Sequence, residues 1–271
     1  MTPEERDRYI LGVVECLLGD DLSTAGEHRL GRWEKGWEEN LEAWKAERDP
    51  AVLVPHYHDG QTLVHWKQRI VRPLVPQFDF HVIALLVDWA VKTYLGTVDT
   101  LMEFGCGPAH HLLRARRYNP RAHLVGLDWA TASQRIISEV VASGQGTNLS
   151  GHNFNLYEPD YALPFTANTG VLTVAALEQV GERFEPFLQF LLAKRPAVCV
   201  HFEPIDELLD GNSLIDRLTV LYCRKRNYLH GFLPRLRELE AAGQIVLRHV
   251  QRTYQGSHFI EGHSLVVWSP V

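Results

Sequence analysis

The sequence has few cysteines, and their spacing argues against two common kinds of site. The chain of 271 residues contains four, at positions 16, 106, 199 and 223, and no two of them form a C-x-x-C pair. Zinc sites and redox pairs usually need such close spacing, and disulfide-stapled domains are denser in cysteine. We therefore expect reduced thiols in a cytoplasmic protein.

Long hydrophobic runs are also missing. The longest apolar stretch, residues 82–91, is about ten residues long and contains Asp88, whereas a helix needs roughly twenty residues to cross a bilayer. The first residues lack the apolar core of a signal peptide. Instead, Thr2, Pro3 and Glu5 form the pattern of a helix start with a capping box. The sequence thus predicts no membrane contact.

An excess of positive charge is the third missing feature. The formal net charge is -6, and the first 50 residues hold 13 acidic residues against 7 Lys or Arg. Domains that bind nucleic acids usually carry a surplus of Lys and Arg for the phosphates. The composition therefore disfavours a nucleic-acid partner and favours a small-molecule substrate.

The segment 1–97 shows helical spacing of its apolar residues. One stripe begins at Ile10, and a second consists of Trp33, Trp37, Leu41 and Trp44. A tryptophan stripe is typical of core packing or of a homodimer contact rather than of a ligand cage, and both readings stay open. A further helix is predicted over residues 78–94. We therefore expect an N-terminal helical region at residues 1–97.

From residue 98 onward the pattern changes to strands that alternate with helices. Strand-like segments lie near residues 98–104, 122–128, 150–156, 168–175 and 197–203, with two more near 244–252 and 263–268. Such alternation predicts an α/β domain with a doubly wound, mostly parallel sheet, here of seven strands. We assign this domain to residues 98–271.

The most informative segment lies between the first two of these strands. Glycines at positions 105 and 107 allow the backbone to turn sharply and to approach a ligand at the start of the next helix. A dinucleotide-binding turn would need a third glycine at position 110, where this chain has His110. The turn therefore disfavours NAD and, with it, a dehydrogenase.

The pattern acid-x-Gly-x-Gly-x-small, formed by Glu103, Gly105, Gly107 and Ala109, resembles the first motif of class I S-adenosylmethionine-dependent methyltransferases. The resemblance covers roughly residues 98–270. It implies S-adenosyl-L-methionine as the cofactor, with Glu103 near the methionine ammonium and Asp128 accepting hydrogen bonds from the ribose hydroxyls.

The same resemblance implies a site for the adenine ring. Trp129 would form a flat wall, and the side chain of Asn155 or Asp160 would meet the adenine amino group. Cys106 and Leu156 lie beside these positions in the sequence. They complete the predicted set of cofactor-binding residues.

Candidate catalytic groups follow the fourth and fifth strands of the predicted sheet. Glu178 comes after the fourth strand, and His201, Glu203 and Glu207 lie at the end of the fifth. In open α/β sheets, ligands bind outside the carboxyl ends of the strands. Converging carboxylates suit an amine or guanidinium acceptor, such as free arginine. The sequence therefore favours methylation of a nitrogen on a small polar molecule.

Two other functions remain open at this stage. The chain would be an O-methyltransferase if the acceptor were a sugar or natural-product hydroxyl, with His201 or His56 as the base. It would be a noncatalytic nucleoside-binding module if it used the glycine turn without any chemistry.

A polar and aromatic cluster in the N-terminal region contains the predicted acceptor-binding residues His56, Tyr57, His58 and Trp66. In many small-molecule methyltransferases such a helical region folds over the cofactor as a lid, so the resemblance implies acceptor contacts here. His56, His58 and Asp59, together with His65, also suggest a metal site. No Cys or H-E-x-x-H companion accompanies it, so we predict no metal.

Three consecutive cations occupy positions 224–226 on a predicted helix. Such a run is typical of a solvated helix face. An arginine or lysine of this run that turned inward would bind a carboxylate on the acceptor.

Overall fold

The computed structural model describes residues 1–58, 63–261 and 263–271 of the chain, so Asp59, a residue of the metal site that the sequence analysis weighed and disfavoured, lies outside the described residues. The described strands are β1 (Val64–Trp66), β2 (Arg69–Val71), β3 (Thr100–Phe104), β4 (His123–Asp128), β5 (Leu149–Asn153), β6 (Thr169–Val174), β7 (Val198–Pro204), β8 (Ile245–Gln251), β9 (Gln255–Gly256) and β10 (His263–Pro270). The described α-helices are α1 (Pro3–Leu18), α2 (Leu30–Glu47), α3 (Phe78–Ala90), α4 (His110–Ala115), α5 (Thr131–Ala142), α6 (Glu185–Lys194), α7 (Leu214–Lys225) and α8 (Phe232–Ala241).

A seven-stranded sheet forms the centre of the molecule, as the sequence predicts. Its strand order is β5-β4-β3-β6-β7-β10-β8. The first five strands of this order are parallel, and β10 runs antiparallel to both β7 and β8. Strand order reverses between β3 and β6, and the carboxyl ends of strands at such a switch point border a ligand-binding crevice.

Helices cover both faces of the sheet, which explains why the central strands β3 and β7 are buried at every position. On one face, Trp44 and Ile136 belong to a buried cluster built from α2, α3, α4 and α5. On the other face, Phe104, Phe187 and Trp268 belong to a second cluster with α6 and α8. The sheet is therefore fixed between two apolar layers.

The N-terminal region packs onto this domain through α2. The Glu34 carboxylate accepts hydrogen bonds from Thr131 Oγ1 at 2.7 Å and from the Ala132 backbone N–H at 3.0 Å, at the start of α5. The predicted capping box of α1 is confirmed, with Thr2 and Glu5 bonded to each other's backbone. The structure thus joins α2 to the sheet domain at α5.

The N-terminal region, which the sequence predicts to be helical with no strand pattern, also contains two short strands. The short strands β1 and β2 pair with each other, and β1 also pairs with β9 from the far end of the sequence. Strands of three residues show no periodicity, and their partner is distant in sequence.

Within the described residues, no helix has the length and apolarity that crossing a bilayer requires.

A buried ionic network ties α7 to the segment around β9. Both outer nitrogens of Arg252 donate to the Asp216 carboxylate at 2.6 Å, and one of them also donates to Glu261 at 2.8 Å. Asp216 also accepts the backbone N–H of Asp210 at 2.7 Å. The network anchors the chain on either side of β9, next to one of the cavities described below.

We expect Arg252→Met to lower the free energy of unfolding by about 3–5 kcal/mol, because two buried carboxylates lose their cation. Arg248→Met is the matched control, since Arg248 is exposed on the neighbouring strand β8, and it should change stability by about 0.5 kcal/mol or less. Urea denaturation of both variants measures the difference. Equal, small losses would contradict the structural role of the network.

Candidate active site

The first cavity lies at the carboxyl ends of β3, β4 and β6 and encloses about 770 Å³, part of it open to solvent. It is lined by the glycine turn, by the ends of these strands and by aromatic residues of the N-terminal region. The described lining residues are Trp33, Trp37, Pro55, Tyr57, Glu103, Gly105, Cys106, Gly107, Pro108, His110, His111, Asp128, Trp129, Phe154, Leu156, Tyr157, Val174, Ala175, Ala176, Gln179 and Val180. A nucleoside-sized ligand fits a volume of this scale.

The glycine turn is shaped by the protein's own packing. Gly105 and Gly107 have φ angles of 70° and 51°, a region that favours glycine. A Cβ atom on Gly105 would lie 2.4 Å from the Cβ of Ala176, and one on Gly107 would lie 2.9 Å from the ring of Trp37. Both positions therefore require glycine before any ligand is considered.

Asp128 is held at the floor of the first cavity. Its two carboxylate oxygens accept the backbone N–H groups of Gly107 and Ala130, each at 2.9 Å. Burial raises the pKa of Asp128 to about 6, so the group is mostly ionised at pH 7. Each oxygen keeps a further lone pair, with which the carboxylate can accept hydroxyl groups of a ligand.

Glu103 carries a buried oxygen that the fold leaves unpaired. Its side chain is 1% exposed, and Oε2 has no hydrogen-bond partner among the residues that the structure describes. Burial and the charge of Asp128 raise the pKa of Glu103 well above its ordinary value. A cationic ligand group at this oxygen would compensate the cost of burying the ionised carboxylate.

Aromatic rings form the far wall of the first cavity. The rings of Trp129 and Tyr157 lie 6.0 Å apart at 35°. Leu156 lines the cavity, whereas Asn155 and Asp160 are not among its described lining residues. Asn155 instead uses its side-chain oxygen to accept the backbone N–H of Tyr157. The structure therefore brings neither candidate for the adenine amino group to the cavity wall.

A second cavity adjoins the first and encloses about 1430 Å³, part of it open to solvent. Five residues line both cavities: Trp33, Trp37, Tyr57, Ala175 and Gln179. The other described residues that line the second cavity are Arg29, Arg32, Gly36, Glu39, Asn40, His56, His58, Asp79, Ile83, Glu178, Arg226, Tyr228, Gln255, Ser257, Ile260 and His263. A ligand in the second cavity would thus lie next to a ligand in the first.

Three of the four predicted acceptor-binding residues, His56, Tyr57 and His58, line the second cavity. Trp66 lies elsewhere, with its ring 5.5 Å from that of Phe78. The sequence analysis missed the partner of His58. Its Nδ1 lies 3.0 Å from a carboxylate oxygen of the buried Asp79.

Of the predicted catalytic groups, only Glu178 is among the described lining residues of the second cavity. Its Oε1 accepts a hydrogen bond from the Gln179 side chain at 2.8 Å, and its Oε2 has no partner within the described part of the chain. Burial and the charge of Glu203 raise the pKa of Glu178 to about 8. At pH 7 the group is therefore mostly uncharged.

Glu203 has a structural position instead of the predicted catalytic one. Its carboxylate is fully buried and accepts the backbone N–H groups of Ala176 at 3.0 Å and Glu178 at 3.2 Å. It is not among the described residues that line either cavity. The sequence places Glu203 at the correct end of β7, but its side chain binds the neighbouring loop.

His201 and Glu207 also lie away from the described cavity linings. Both ring nitrogens of the fully buried His201 are bonded, to Thr173 Oγ1 at 2.9 Å and to Trp268 Nε1 at 3.0 Å. Glu207 accepts the backbone N–H of Gly231 at 2.5 Å. Neither side chain therefore borders either cavity in the described part of the chain, because side-chain direction, and not position along the strand, decides which groups reach the crevice.

The cationic run on α7 resolves into three different environments. Arg224 is exposed, Lys225 donates to the backbone oxygen of Leu17 at 2.7 Å, and Arg226 is buried and lines the second cavity. The inward cation is therefore Arg226. A second arginine, Arg29, lines the same cavity and was not singled out from the sequence.

We expect Gly105→Ala to destabilise the fold by about 2–4 kcal/mol, because a positive φ angle and a steric clash act together. Gly144→Ala is the control, since Gly144 has a φ of 81° but no atom within 4 Å of an added Cβ. It should cost only about 1 kcal/mol, the conformational part. Thermal melts of the two variants test this, and equal losses would show that the contact with Ala176 is not tight.

No family model and no curated protein matches the sequence, but the fold matches solved structures. PigF, solved with SAH, aligns with a TM-score of 0.52 at 12% identity, over 97% of this chain and 69% of its own. The O-methyltransferase NcsB1 from neocarzinostatin biosynthesis, solved with S-adenosylmethionine and 2-hydroxy-5-methyl naphthoic acid, gives 0.50 at 15% over 89% and 70%. The methyltransferase domain of bacterial CtHen1-C gives 0.52 at 15% over 70% and 98%.

The chain spans 58–70% of the length of the first three neighbours. At such low identity, the likeness concerns the fold. It agrees with the sheet order, with the antiparallel β10 and with the glycine turn after β3. The chain has the fold of the class I S-adenosylmethionine-dependent methyltransferases.

Proposed function

We propose that this chain is a methyltransferase that uses S-adenosyl-L-methionine to methylate an oxygen of a small molecule. The observation that carries the proposal is the wall shared by the two cavities, at the switch point of the sheet. Methyl transfer needs donor and acceptor side by side, with the acceptor lone pair aligned to the methyl carbon. Adjoining cavities supply this arrangement.

The residues of the first cavity fit the proposed cofactor. The Asp128 carboxylate can accept the ribose hydroxyls, and the unpaired oxygen of Glu103 can accept the methionine ammonium. The rings of Trp129 and Tyr157 offer flat apolar surface for adenine. In this proposal, Trp33 and Trp37 of α2 cover the same cavity and exclude water as a lid does.

When bound, the cofactor supplies an electrophilic methyl group: the acceptor oxygen's lone pair forms the C–O bond while the S–C bond breaks and its electron pair stays on sulfur. The chain's own contribution is to orient the acceptor and to remove its proton. His58 uses Nδ1 to bind Asp79, which leaves Nε2 to take the hydroxyl proton. The Asp79 carboxylate then stabilises the imidazolium that forms.

The charges in the second cavity favour an oxygen acceptor over the arginine-type acceptor expected from the sequence. Arg29 and Arg226 are buried there. Asp79 is the one buried acid besides Glu178 among the described lining residues, so the two arginines would repel an amine or guanidinium. Because burial raises the pKa of Glu178 to about 8, this acid offsets little of their charge at pH 7. The unpaired oxygen of Glu178 still supports nitrogen methylation as the second candidate.

The charge of the chain supports a small molecule over RNA as the acceptor. One fold neighbour is the small RNA methyltransferase HEN1, at a TM-score of 0.53 and 17% identity. RNA binding relies on a surplus of Lys and Arg toward the phosphates, whereas this chain carries a net charge of -6. We therefore propose a small-molecule acceptor.

The homodimer considered from the sequence remains a prediction.

We expect Asp128→Ala to weaken binding of S-adenosylmethionine by about 1.5–3 kcal/mol, the scale of hydrogen bonds to a charged group. Wild-type affinity should also fall as pH drops below 6, where Asp128 becomes protonated and loses acceptor capacity. Calorimetry measures both effects. The control variant Glu158→Ala removes an exposed acid nearby and should leave the affinity unchanged. Unchanged affinity in Asp128→Ala would contradict the proposed contact between Asp128 and the cofactor.

We expect His58→Gln to lower kcat by about 10²–10⁴-fold, the range for loss of a positioned base, with little change in S-adenosylmethionine affinity. Asp79→Asn should lower kcat less, because the base remains but loses its orienting charge. His81→Gln, which removes an exposed histidine on α3, is the control. The assay follows transfer of labelled methyl to the hydroxylated acceptor that a compound screen identifies.

A different pattern would support the second candidate. If Glu178→Gln abolishes turnover on an amine while His58→Gln keeps it, the acceptor atom is nitrogen. Binding of S-adenosylmethionine without methyl transfer to any compound of the screen would favour the noncatalytic nucleoside-binding module.

A further inference from the structure

Two buried arginines line the second cavity with unused hydrogen-bond donors. Arg29 is 5% exposed and Arg226 is 9% exposed, and both line the cavity. The Nε–H group of each has no acceptor among the residues that the structure describes. Gln255, 2% exposed on the same wall, also has an amide nitrogen without an acceptor in the described ranges. Three buried N–H donors of the cavity-lining residues therefore have no acceptor within the described part of the chain.

Uncharged groups hold both guanidinium groups in place. Arg29 donates to the Gln179 side-chain oxygen at 2.8 Å and lies 5.1 Å from the centre of the Trp33 ring. Arg226 donates to Ser23 Oγ at 3.2 Å and to Tyr228 Oη at 3.1 Å. Their positions are fixed, but these contacts leave their charges unbalanced.

The buried Arg252, unlike Arg29 and Arg226, forms ion pairs with acids. Arg252 binds two carboxylates, whereas within the described residues neither Arg29 nor Arg226 forms an ion pair with an acid. Burial, and after it the charge of Arg226, lower the pKa of Arg29. The neighbouring Glu178 has a pKa raised to about 8 by burial. The carboxyl groups of Glu39 and Asp79 and the guanidinium of Arg32 also line the cavity, so three arginines stand against these two acids and the largely uncharged Glu178.

Unbalanced buried charge is costly, and a bound anion would offset that cost. Arginine binds carboxylates through parallel N–H donors, with geometry that a lysine or an amide does not reproduce. The rest of the wall includes the rings of Trp33, Trp37 and Tyr228 and the side chain of Ile260. Flat aromatic surface beside paired guanidinium groups suits a planar ring that bears a negative group.

We propose that the second cavity binds a carboxylate on an aromatic acceptor through Arg29 and Arg226, so that the methylated molecule is a hydroxylated aromatic acid. Its assignment as acceptor rests on the proposed function, whereas the anion site itself depends only on the cavity. The two arginines would hold the carboxylate. The hydroxyl of the same molecule would then face His58, which also lines the second cavity.

The first test needs no variant. Calorimetry compares 3-hydroxybenzoate with the neutral isostere 3-hydroxybenzamide, and with phenyl phosphate, on the protein with and without S-adenosylhomocysteine. We expect the carboxylate to bind about 10–100-fold more tightly than the amide, the range for hydrogen bonds to a charged group. Equal affinities, or no carboxylate binding at millimolar concentration, would overturn the proposal. Tighter binding of phenyl phosphate than of the carboxylate would overturn the assignment to a carboxylate.

The second test removes each cation. Arg226→Gln and Arg29→Gln should each weaken 3-hydroxybenzoate binding by about 10-fold or more, with unchanged affinity for the amide and for S-adenosylhomocysteine. Arg224→Gln removes the same charge from the exposed face of α7, two positions from Arg226, and should leave all three affinities unchanged. An equal loss in Arg224→Gln would mean that long-range charge, and not a built site, attracts the acid.

The same measurements separate this inference from the proposed function. Methyl transfer to neutral phenols with no preference for the acid would reject the carboxylate site and keep the methyltransferase. Binding of the acid that depends on both arginines, in a protein that does not bind S-adenosylhomocysteine, would keep the anion site and reject the methyltransferase.

Discussion

The buried carboxylate of Glu203 is the contact on which the shape of both cavities depends. By accepting two backbone N–H groups, of Ala176 and Glu178, it holds the loop after β6 in place. That loop packs directly against the glycine turn, where no Cβ would fit. Asp128 binds the same turn from its other side, through Gly107. Two buried acids thus set the crevice at the switch point before any ligand enters.

This arrangement has a cost that depends on pH. Burial raises the pKa of Asp128 to about 6, of Glu203 to about 7 and of Glu178 to about 8. A carboxyl group whose pKa is higher in the folded chain than in the unfolded chain destabilises the fold as pH rises, because the unfolded chain ionises first. These groups therefore lower the free energy of unfolding between about pH 4 and pH 8. The apolar layers on both sheet faces offset this loss.

The two cavities differ in how they are built. The lining of the first cavity comes mainly from the strand ends and turns that define the fold, so the sheet determines which chemical groups line it. The second joins Arg29 and His58 of the N-terminal region, Arg226 just after α7 and Gln255 of β9, segments that are far apart in sequence. A common fold can serve different acceptors when such added segments differ. The buried Arg29 and Arg226 are the features of this cavity on which the proposed aromatic-acid acceptor rests.

Local patterns were sufficient to determine the sheet and the glycine turn. The alternation of apolar strand segments with helical segments located all seven central strands. The spacing from Glu103 to Asp128 placed both acids at one crevice. Both succeed because strand ends and tight turns follow from neighbouring residues. Only the tertiary structure decided which side chains line the two cavities. It turned Glu203 and His201 into the interior, paired β1 with β9, and brought Asp79 to His58. Those outcomes depend on contacts between distant segments, which no local periodicity encodes.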